Sequence, residues 1–425
     1  MLKNILFIFT LLIILLYMMY LFIFKDKLTK CPKNCENYNG VKLKINNADF
    51  KKFNLSESNF FKAHLSSADF SNSNLYFSNF KESVLKGSNF FYSNLRGANF
   101  ILSDLTLSNF HGADLRGARL FKADLRGSNL KGVNFIAADL RLSKLNNTQI
   151  DKHTKMSDKW INVWNVVNNI NFFNKKLAGL NLNNANLENI TFEDSDLSGV
   201  DFSGSNLSNV IFKNCNLNFV NFYETVINSN TIMSPKAYKI FKLKNNINAL
   251  FYLHENDISF SDLNNTYLKK SKLKKSNLSF SRINYSDLTD AELEDANMKH
   301  TNFVESILYK ANFKNANIKF SNFKGADLRL VNFKGVKYNE YTILDKNHMN
   351  CLKVYNNPNM VKLYKNLRWC YFEGINFKGM KLNDVDFSNS ILKNSNFENT
   401  LLTNVIFKNA NIDNASFLKS NKLEP

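Results

Sequence analysis

Apolar side chains recur along this chain at every fifth residue. In SNFHGADLRGARLFKADLRGSNL (108–130), Phe110, Leu115, Leu120, Leu125 and Leu130 are evenly spaced. A helix turns an apolar stripe inward every 3.6 residues and a strand every second residue, so neither produces this interval. From Ile45 to Ile150 the pattern runs without a miss. Two residues before most of the large positions sits a small one, as at Ala48, Ser58, Ala63, Ala68, Ser73 and Ser78. On an extended segment both point the same way, so both are predicted to face inward. The residue between them is often Asn or Asp (Asp49, Asn54, Asn59, Asp69, Asn74) and faces outward, where a short polar side chain can bond to turn backbone.

The pattern resumes in a new phase from Leu177 through Phe192, Phe202 and Phe212 to Ile227. It appears again from Ile258 through Leu263, Leu288 and Phe313 to Tyr338, and from Phe372 through Phe387 and Phe407 to Phe417. Within the first block Phe and Leu alternate: Phe50, Leu55, Phe60, Leu65, Phe70, Leu75, Phe80. A coil of four five-residue sides would stack Phe50, Phe70, Phe90 and Phe110 in one column and Phe60, Phe80 and Phe100 in another. A three-sided coil would set Phe on Leu instead. Like-on-like columns favour four sides. One pentapeptide buries about one large side chain, worth roughly 1.5–3 kcal/mol. Ordering five residues costs on the order of 5–10 kcal/mol, so each coil depends on its neighbours.

The motif A-[DN]-[LF]-x-x resembles that of the pentapeptide-repeat family over most of residues 41–417. The resemblance implies an all-β solenoid, a right-handed quadrilateral β-helix with one pentapeptide per side. It implies little about activity, because a shared shape does not carry a shared chemistry.

Three segments break the rule: TQIDKHTKMSDKWINVWNVVNN, TVINSNTIMSPKAYKIFKLKNN and VKYNEYTILDKNHMNCLKVYNN. In each, a Thr (Thr154, Thr231, Thr342) precedes an Asn-Asn pair by 14 residues (Asn168, Asn245, Asn356), so the module reads as duplicated together with its insert. Ser157, Ser234 and Asp345 are expected helix N-caps, and Pro235 suits the first helical position. Trp160, Val163, Trp164 and Val167 fall on one helical face, as do Ala237, Ile240 and Phe241, and Cys351, Leu352 and Tyr355. Three short amphipathic helices packed on the solenoid are predicted.

Ile5 to Phe24 is a run of 20 uncharged residues, which reads as a membrane-spanning helix, with KDKLTK immediately after it. The expected organisation is a membrane anchor at 1–30 with its span at 5–24 and a linker at 31–44. Repeat blocks follow at 45–150, 177–227, 258–338 and 372–417, separated by inserts at 151–176, 228–257 and 339–371, with a tail at 418–425. Single-pass membrane localisation is expected, and Lys25, Lys27, Lys30 and Lys33 lean the repeat domain toward the cytoplasmic side.

The formal charge is +19, with the lysines read as scattered over solvated positions. Binding of anionic lipid or nucleic acid by this basic surface is the alternative function; nucleic acid is not the expected partner. Some members of the resembled family mimic duplex DNA and inhibit topoisomerases, which needs an acidic rod and so is disfavoured here. Five cysteines are too few for a disulfide scaffold. Cys31 and Cys35 form C-x3-C, half of a zinc site's ligands, so a local disulfide or two thiols is expected, while Cys215 and Cys370 occupy small inward slots and read as core thiols. The histidines (His64, His111, His153, His254, His300, His348) are dispersed. No phosphate-binding glycine loop, nucleophile elbow or metal motif is present in the sequence. The reading is a non-catalytic, membrane-anchored scaffold that presents a rigid surface to an unknown protein partner. No catalytic, cofactor or metal residue is assigned, no cofactor is expected, and a homodimer through the C-terminal coil is a further expectation.

Overall fold

The computed structural model describes residues 35–168, 177–245 and 255–421. Each five-residue unit makes one side of a coil. In Ser78-Asn79-Phe80-Lys81-Glu82, Ser78 and Phe80 are fully buried. Lys81 and Glu82 form the turn, with Glu82 at φ 58°. The turn closes by a Ser83 N–H bond to the Phe80 carbonyl at 3.2 Å. The Asn79 N–H donates to Ser58 O in the coil before and the Phe80 N–H to Asn99 O in the coil after. Asn79 therefore bridges Asn59 and Asn99, 20 residues away on either side and parallel to it. Four five-residue sides complete one coil, and the fold is a β-helix solenoid.

The sheets are correspondingly small. Most sides contribute a single bridging residue. Only β1 (Thr191–Glu193) with β2 (Ile211–Lys213), and β3 (Lys381–Asn383) with β4 (Leu401–Thr403), extend to three residues, both pairs parallel.

The second turn residue lies in the left-handed region, which Gly and Asn adopt readily. At Gly112 (φ 69°) a second constraint applies, because a Cβ there would come within 2.7 Å of the Tyr92 ring. Outward Asn and Asp side chains accept from the amide two residues on, as Asp69 does from Ser71 at 2.8 Å. They also form a ladder between coils: Asn94 Nδ2 to Asn74 Oδ1 and Asn74 Nδ2 to Asn54 Oδ1, both 2.8 Å. Inward serines donate to carbonyls, as Ser88 Oγ does to Leu65 O at 2.9 Å.

The aromatic columns form as the alternation predicts. Phe50, Phe70, Phe90 and Phe110 stack with centroids 4.8–5.1 Å apart, and Phe60, Phe80 and Phe100 do likewise at 4.9 and 5.1 Å. The two columns meet edge to face, at 5.6 Å between Phe70 and Phe80.

The chain forms two compact units: Met1–Phe172 with Asn184–Leu187, and Phe173–Asn183 with Glu188–Pro425. Coil geometry is already present at Cys35, the first described residue, whose N–H donates to Asn54 O inside the segment expected to be linker. Leu367, inside the third expected insert, is already a buried wall residue.

The three inserts share one construction. Each opens with a one-residue bulge that changes the bridge offset from 20 to 21 residues: Asn134 with Lys155, Ile211 with Ile232, Asn322 with Ile343. The conserved spacing of the Thr residues now has a cause. Thr154, Thr231 and Thr342 donate Oγ1 to the carbonyls of Leu130, Leu207 and Ile318, 24 residues back, where a regular coil reaches 23. Helices α1 (Asp158–Val167), α2 (Pro235–Lys244) and α3 (Lys346–Asn356) follow, preceded by Ser157, Ser234 and Asp345 as expected. Ser234 and Asp345 accept from Ala237 N and His348 N; Ser157 makes no side-chain cap bond. Regular coiling then resumes through Leu142 N–Asn184 O, Phe219 N–Phe260 O and Leu330 N–Trp369 O.

At the C-termini of α1 and α2, Asn168 and Asn245 donate Nδ2 to the carbonyls of Leu145 and Phe222, 23 residues back. These amides substitute for the hydroxyl of a regular coil. Asn245→Ala is expected to cost about 0.5–1.5 kcal/mol, because the Phe222 carbonyl then keeps only the longer Thr225 N–H bond at 3.3 Å. Urea unfolding checks this, and a loss under about 0.5 kcal/mol removes the role.

Trp164 is half-buried and its indole Nε1 donates to Oγ1 of the buried Thr148 at 2.9 Å, which holds it against the coil, and Val166 is buried on α1 as well. One expectation needs correction. Membrane localisation is not carried further. Among the described residues no helix is long and apolar enough to cross a membrane. The described α-helices are 10–11 residues long, about half of what a ~30 Å hydrocarbon core needs. The span assigned to 5–24 lies outside the described residues.

Candidate functional site

Stacking of identical coils turns the outward positions into columns, and their contents differ from face to face. The sequence LKKSKLKKS (268–276) concentrates Lys269, Lys270, Lys272, Lys274 and Lys275 on one coil, contrary to the expected scatter. The next coil sets Asp290, Glu292, Glu294 and Asp295 twenty residues above four of them. Lys274 Nζ lies 3.2 Å from Glu294 and Lys275 Nζ 3.0 Å from Glu255, while Lys272 meets Glu292 only through a backbone β-bridge. Two of the five lysines are thus paired within the fold.

A different column holds aromatic rings. Phe219, Phe260, Phe280, His300, Phe320 and Tyr341 follow one another on a single corner, with centroids at 6.0, 4.9, 4.6, 4.6 and 5.5 Å. Phe260, Phe280 and Phe320 are 36–41% exposed and Tyr341 is 62% exposed. Phe219, Phe260, Phe280, His300 and Phe320 all have φ between 52° and 63°, a conformation uncommon for bulky side chains. For Phe260, Phe280, His300 and Phe320 the signal was present in the sequence as aromatic residues two positions after the inward one, at twenty-residue intervals; Phe219 and Tyr341 lie 41 and 21 residues from their neighbours.

Titratable groups elsewhere are engaged structurally. His348 is buried beneath α3, with Nδ1 2.6 Å from Asp345 Oδ2. On the same helix Cys351 is joined to Cys370 of the following coil, Cα atoms 5.5 Å apart. Cys370 is thus not a core thiol: the returning coil brings it against the helix. Cys35 is also disulfide-bonded. Such bonds persist in oxidising surroundings, against the cytoplasmic side expected. Cys215 is half-buried rather than enclosed, because α2 replaces the side that would have covered it. Its Sγ lies 3.3 Å from Phe192 O, and burial pushes the thiol's pKa up.

Burial and Glu373 push the Tyr355 pKa up to about 12 and raise that of Tyr371 too, so both phenols stay protonated at neutral pH. Lys244, buried at the end of α2, has its pKa lowered by desolvation while Asp262 works against the shift. His64 and His153 are exposed, His111 stacks on Phe91 at 5.5 Å, and His254 lies outside the described residues. No group of three or more His, Cys, Asp or Glu among the described residues could hold a metal ion. An open groove of about 910 Å³ beside α2 is lined by Val226, Ile232, Met233, Tyr238, Phe241 and Lys242, with no carboxylate, imidazole or thiol in its walls. It has no acid–base pair.

The Asp-Leu-Arg units fold each arginine back on its own aspartate: Arg116–Asp114 and Arg126–Asp124 at 2.6 Å, Arg141–Asp139 at 2.8 Å, Arg329–Asp327 at 2.7 Å. Arg141 and Arg329 hold the Asp139 and Asp327 carboxyls below the usual carboxylate range. A carboxyl with a lower pKa in the fold than in the unfolded chain stabilises above its unfolded value of ~3.9, and that stability is lost as pH falls through the folded value. The deficit in melting temperature of Arg329→Gln relative to wild type is therefore expected to be largest near neutrality and to close toward about pH 2. A pH-independent deficit contradicts the assignment.

A family model for pentapeptide repeats (8 copies) matches residues 44–76, 68–106, 83–120, 108–148, 261–299, 296–335 and 381–417, and one for a pentapeptide repeat region matches 167–236. Similar solved structures include HetL of the cyanobacterium Nostoc sp., a pentapeptide repeat protein involved in heterocyst differentiation regulation. It is 18% identical, with 74% of this chain and 92% of that one covered, at a TM-score of 0.20. Rfr23 of the cyanobacterium Cyanothece is 23% identical over 29% and 92% of the two chains, at 0.22. A pentapeptide repeat protein of the Arabidopsis thaliana thylakoid lumen is 27% identical over 23% and 69%, at 0.23. No curated protein matches the chain.

Proposed function

Because the chain belongs to the pentapeptide-repeat family, we propose that it is a non-catalytic scaffold whose solenoid surface binds protein partners. The observation that carries this reading is the contrast between inside and outside. Phe50 through Phe110 and the intervening leucines are at most 1% exposed, so these walls leave no interior for a substrate. The outside offers long, regular columns on a rigid backbone.

The alternative of anionic lipid or nucleic acid binding is weakened by the pairing of Lys274 and Lys275 with Glu294 and Glu255. Duplex mimicry is opposed by the +19 charge. A homodimer through the C-terminal coil is supported by the half-buried Phe407 and Phe417 and the exposed Ile412 and Leu418; light scattering that finds only monomer ends that idea. The scaffold reading is tested by placing a photo-crosslinking residue at outward positions on several faces of the full chain in its own cells. Discrete adducts with the same protein are expected, and an absence of adducts from every face overturns it.

A further inference from the structure

Resting on the scaffold reading, we infer that the aromatic column Phe260–Phe280–His300–Phe320–Tyr341 is a docking surface for an acidic, aromatic-bearing protein segment. Contiguous exposed aromatic surface on a folded protein marks an interaction site more often than decoration. These rings stack nearly parallel, 3–11° apart, which hides their faces and turns their edges outward. Ring edges carry the positive end of the aromatic quadrupole, so they receive carboxylates and the faces of other rings.

The charge around the column points the same way. Lys299 Nζ sits 5.6 Å from the centre of the Phe320 ring. Lys319 and Lys337 are exposed beside it, and no ion pair occupies Lys299, Lys319 or Lys337 among the described residues. This differs from the corner of Lys274 and Lys275, where the fold supplies its own carboxylates. Of the acidic residues near the column, Asp257 lies 3.5 Å from Lys236 and Asp262 lies 3.4 Å from Lys244; Glu340 alone adjoins its upper end. Unneutralised cations flanking aromatic edges select a partner of opposite charge. A second copy of this chain would oppose Lys299 and Lys319 with cations of its own face, so it fits less well.

The test uses the purified full chain and a Glu–Tyr copolymer, with polyglutamate, heparin and oligo-dT as comparisons. The copolymer is expected to bind at least about tenfold tighter than polyglutamate, a margin of ~1.4 kcal/mol. Phe280→Asn with Phe320→Asn is expected to remove about tenfold of that affinity, as truncated aromatic anchors do. Asn already holds the same left-handed turn at Asn315 (φ 59°), so the coil is retained; an unchanged melting temperature verifies it. Lys274→Ala with Lys275→Ala is expected to leave binding unchanged.

Equal binding of polyglutamate, heparin or oligo-dT, no binding of the copolymer, or equal loss in the two lysine and phenylalanine doubles overturns the inference. So does concentration-dependent self-association abolished by Phe280→Asn with Phe320→Asn, which makes a second copy the occupant. Cross-links from other faces that persist after these outcomes leave the scaffold reading standing, so the two failures are separable.

Discussion

Phe80→Ala is expected to destabilise the first unit by about 3–5 kcal/mol, the range for emptying a fully packed aromatic site. Phe80 is completely buried and has ring partners below, above and across the coil. Phe60 and Phe100 stack on it at 4.9 and 5.1 Å, while Phe70 and Phe90 meet it edge-on at 5.6 and 6.0 Å. The neighbours are held by backbone bonds to the coils above and below, as Asn79 N–Ser58 O and Phe80 N–Asn99 O are. They cannot collapse into the gap without breaking the ladder. In a solenoid each coil contacts only its neighbours, so the damage should spread from that level. Hydrogen exchange would show faster exchange at the amides of Asn79, Phe80 and Asn99 than at Asp124, about two coils beyond Asn79 in the register. Phe80→Leu should cost less than Phe80→Ala, since part of the emptied volume is refilled. Uniform protection in Phe80→Ala would mean that the columns do not carry the core.

Replacing Cys351 and Cys370 together by Ser is expected to lower the stability of the second unit by about 2–4 kcal/mol. The bond closes a loop of 19 residues and ties α3 to the coil that follows it. Without it, α3 keeps Asp345 as its cap, the buried Leu352 and Val354, and a Tyr355 hydroxyl bond to the Glu373 carbonyl at 3.0 Å. The helix should persist but open more often. Limited proteolysis should then cut between Lys346 and Lys365 in the double variant and in wild type under reductant, but not in oxidised wild type. Cys215, the free cysteine among the described residues, should alkylate slowly in all three, because its thiol is half-buried and its pKa is raised. Identical unfolding midpoints for oxidised wild type and the double variant would show that the bond adds nothing.

These two predictions differ in how far the sequence anticipates them. The environment of Phe80 was legible in advance. An inward residue every five positions and a Phe–Leu alternation of period ten suffice to place Phe60, Phe80 and Phe100 in one column. The helix caps at Ser234 and Asp345 were also legible, since capping is a matter of three or four adjacent residues. The cysteine pair was not. Cys351 reads as a helix-face residue and Cys370 as a small wall residue, and neither local pattern states that the chain returns one past the other.

The same holds for the outward columns. The amphipathic stripe of α1 sets Trp164 toward the coil, but periodicity cannot know that Thr148 offers its indole a partner. Lys274 and Lys275 look like free charge until stacking sets Glu294 and Glu255 beside them. Phe219 and Phe260 become neighbours only because an insert leaves and rejoins the same corner.

By itself the sequence determined the wall: its period, the inward and outward alternation, the number of sides and the places where helices interrupt it. These follow from forces acting within one pentapeptide, repeated until register is forced. Only the tertiary structure decided the disulfide, the cancelled charges and the exposed aromatic column. Each depends on residues some twenty or forty positions apart in the chain but about 5 Å apart in space, and that distance is set by stacked backbone hydrogen bonds.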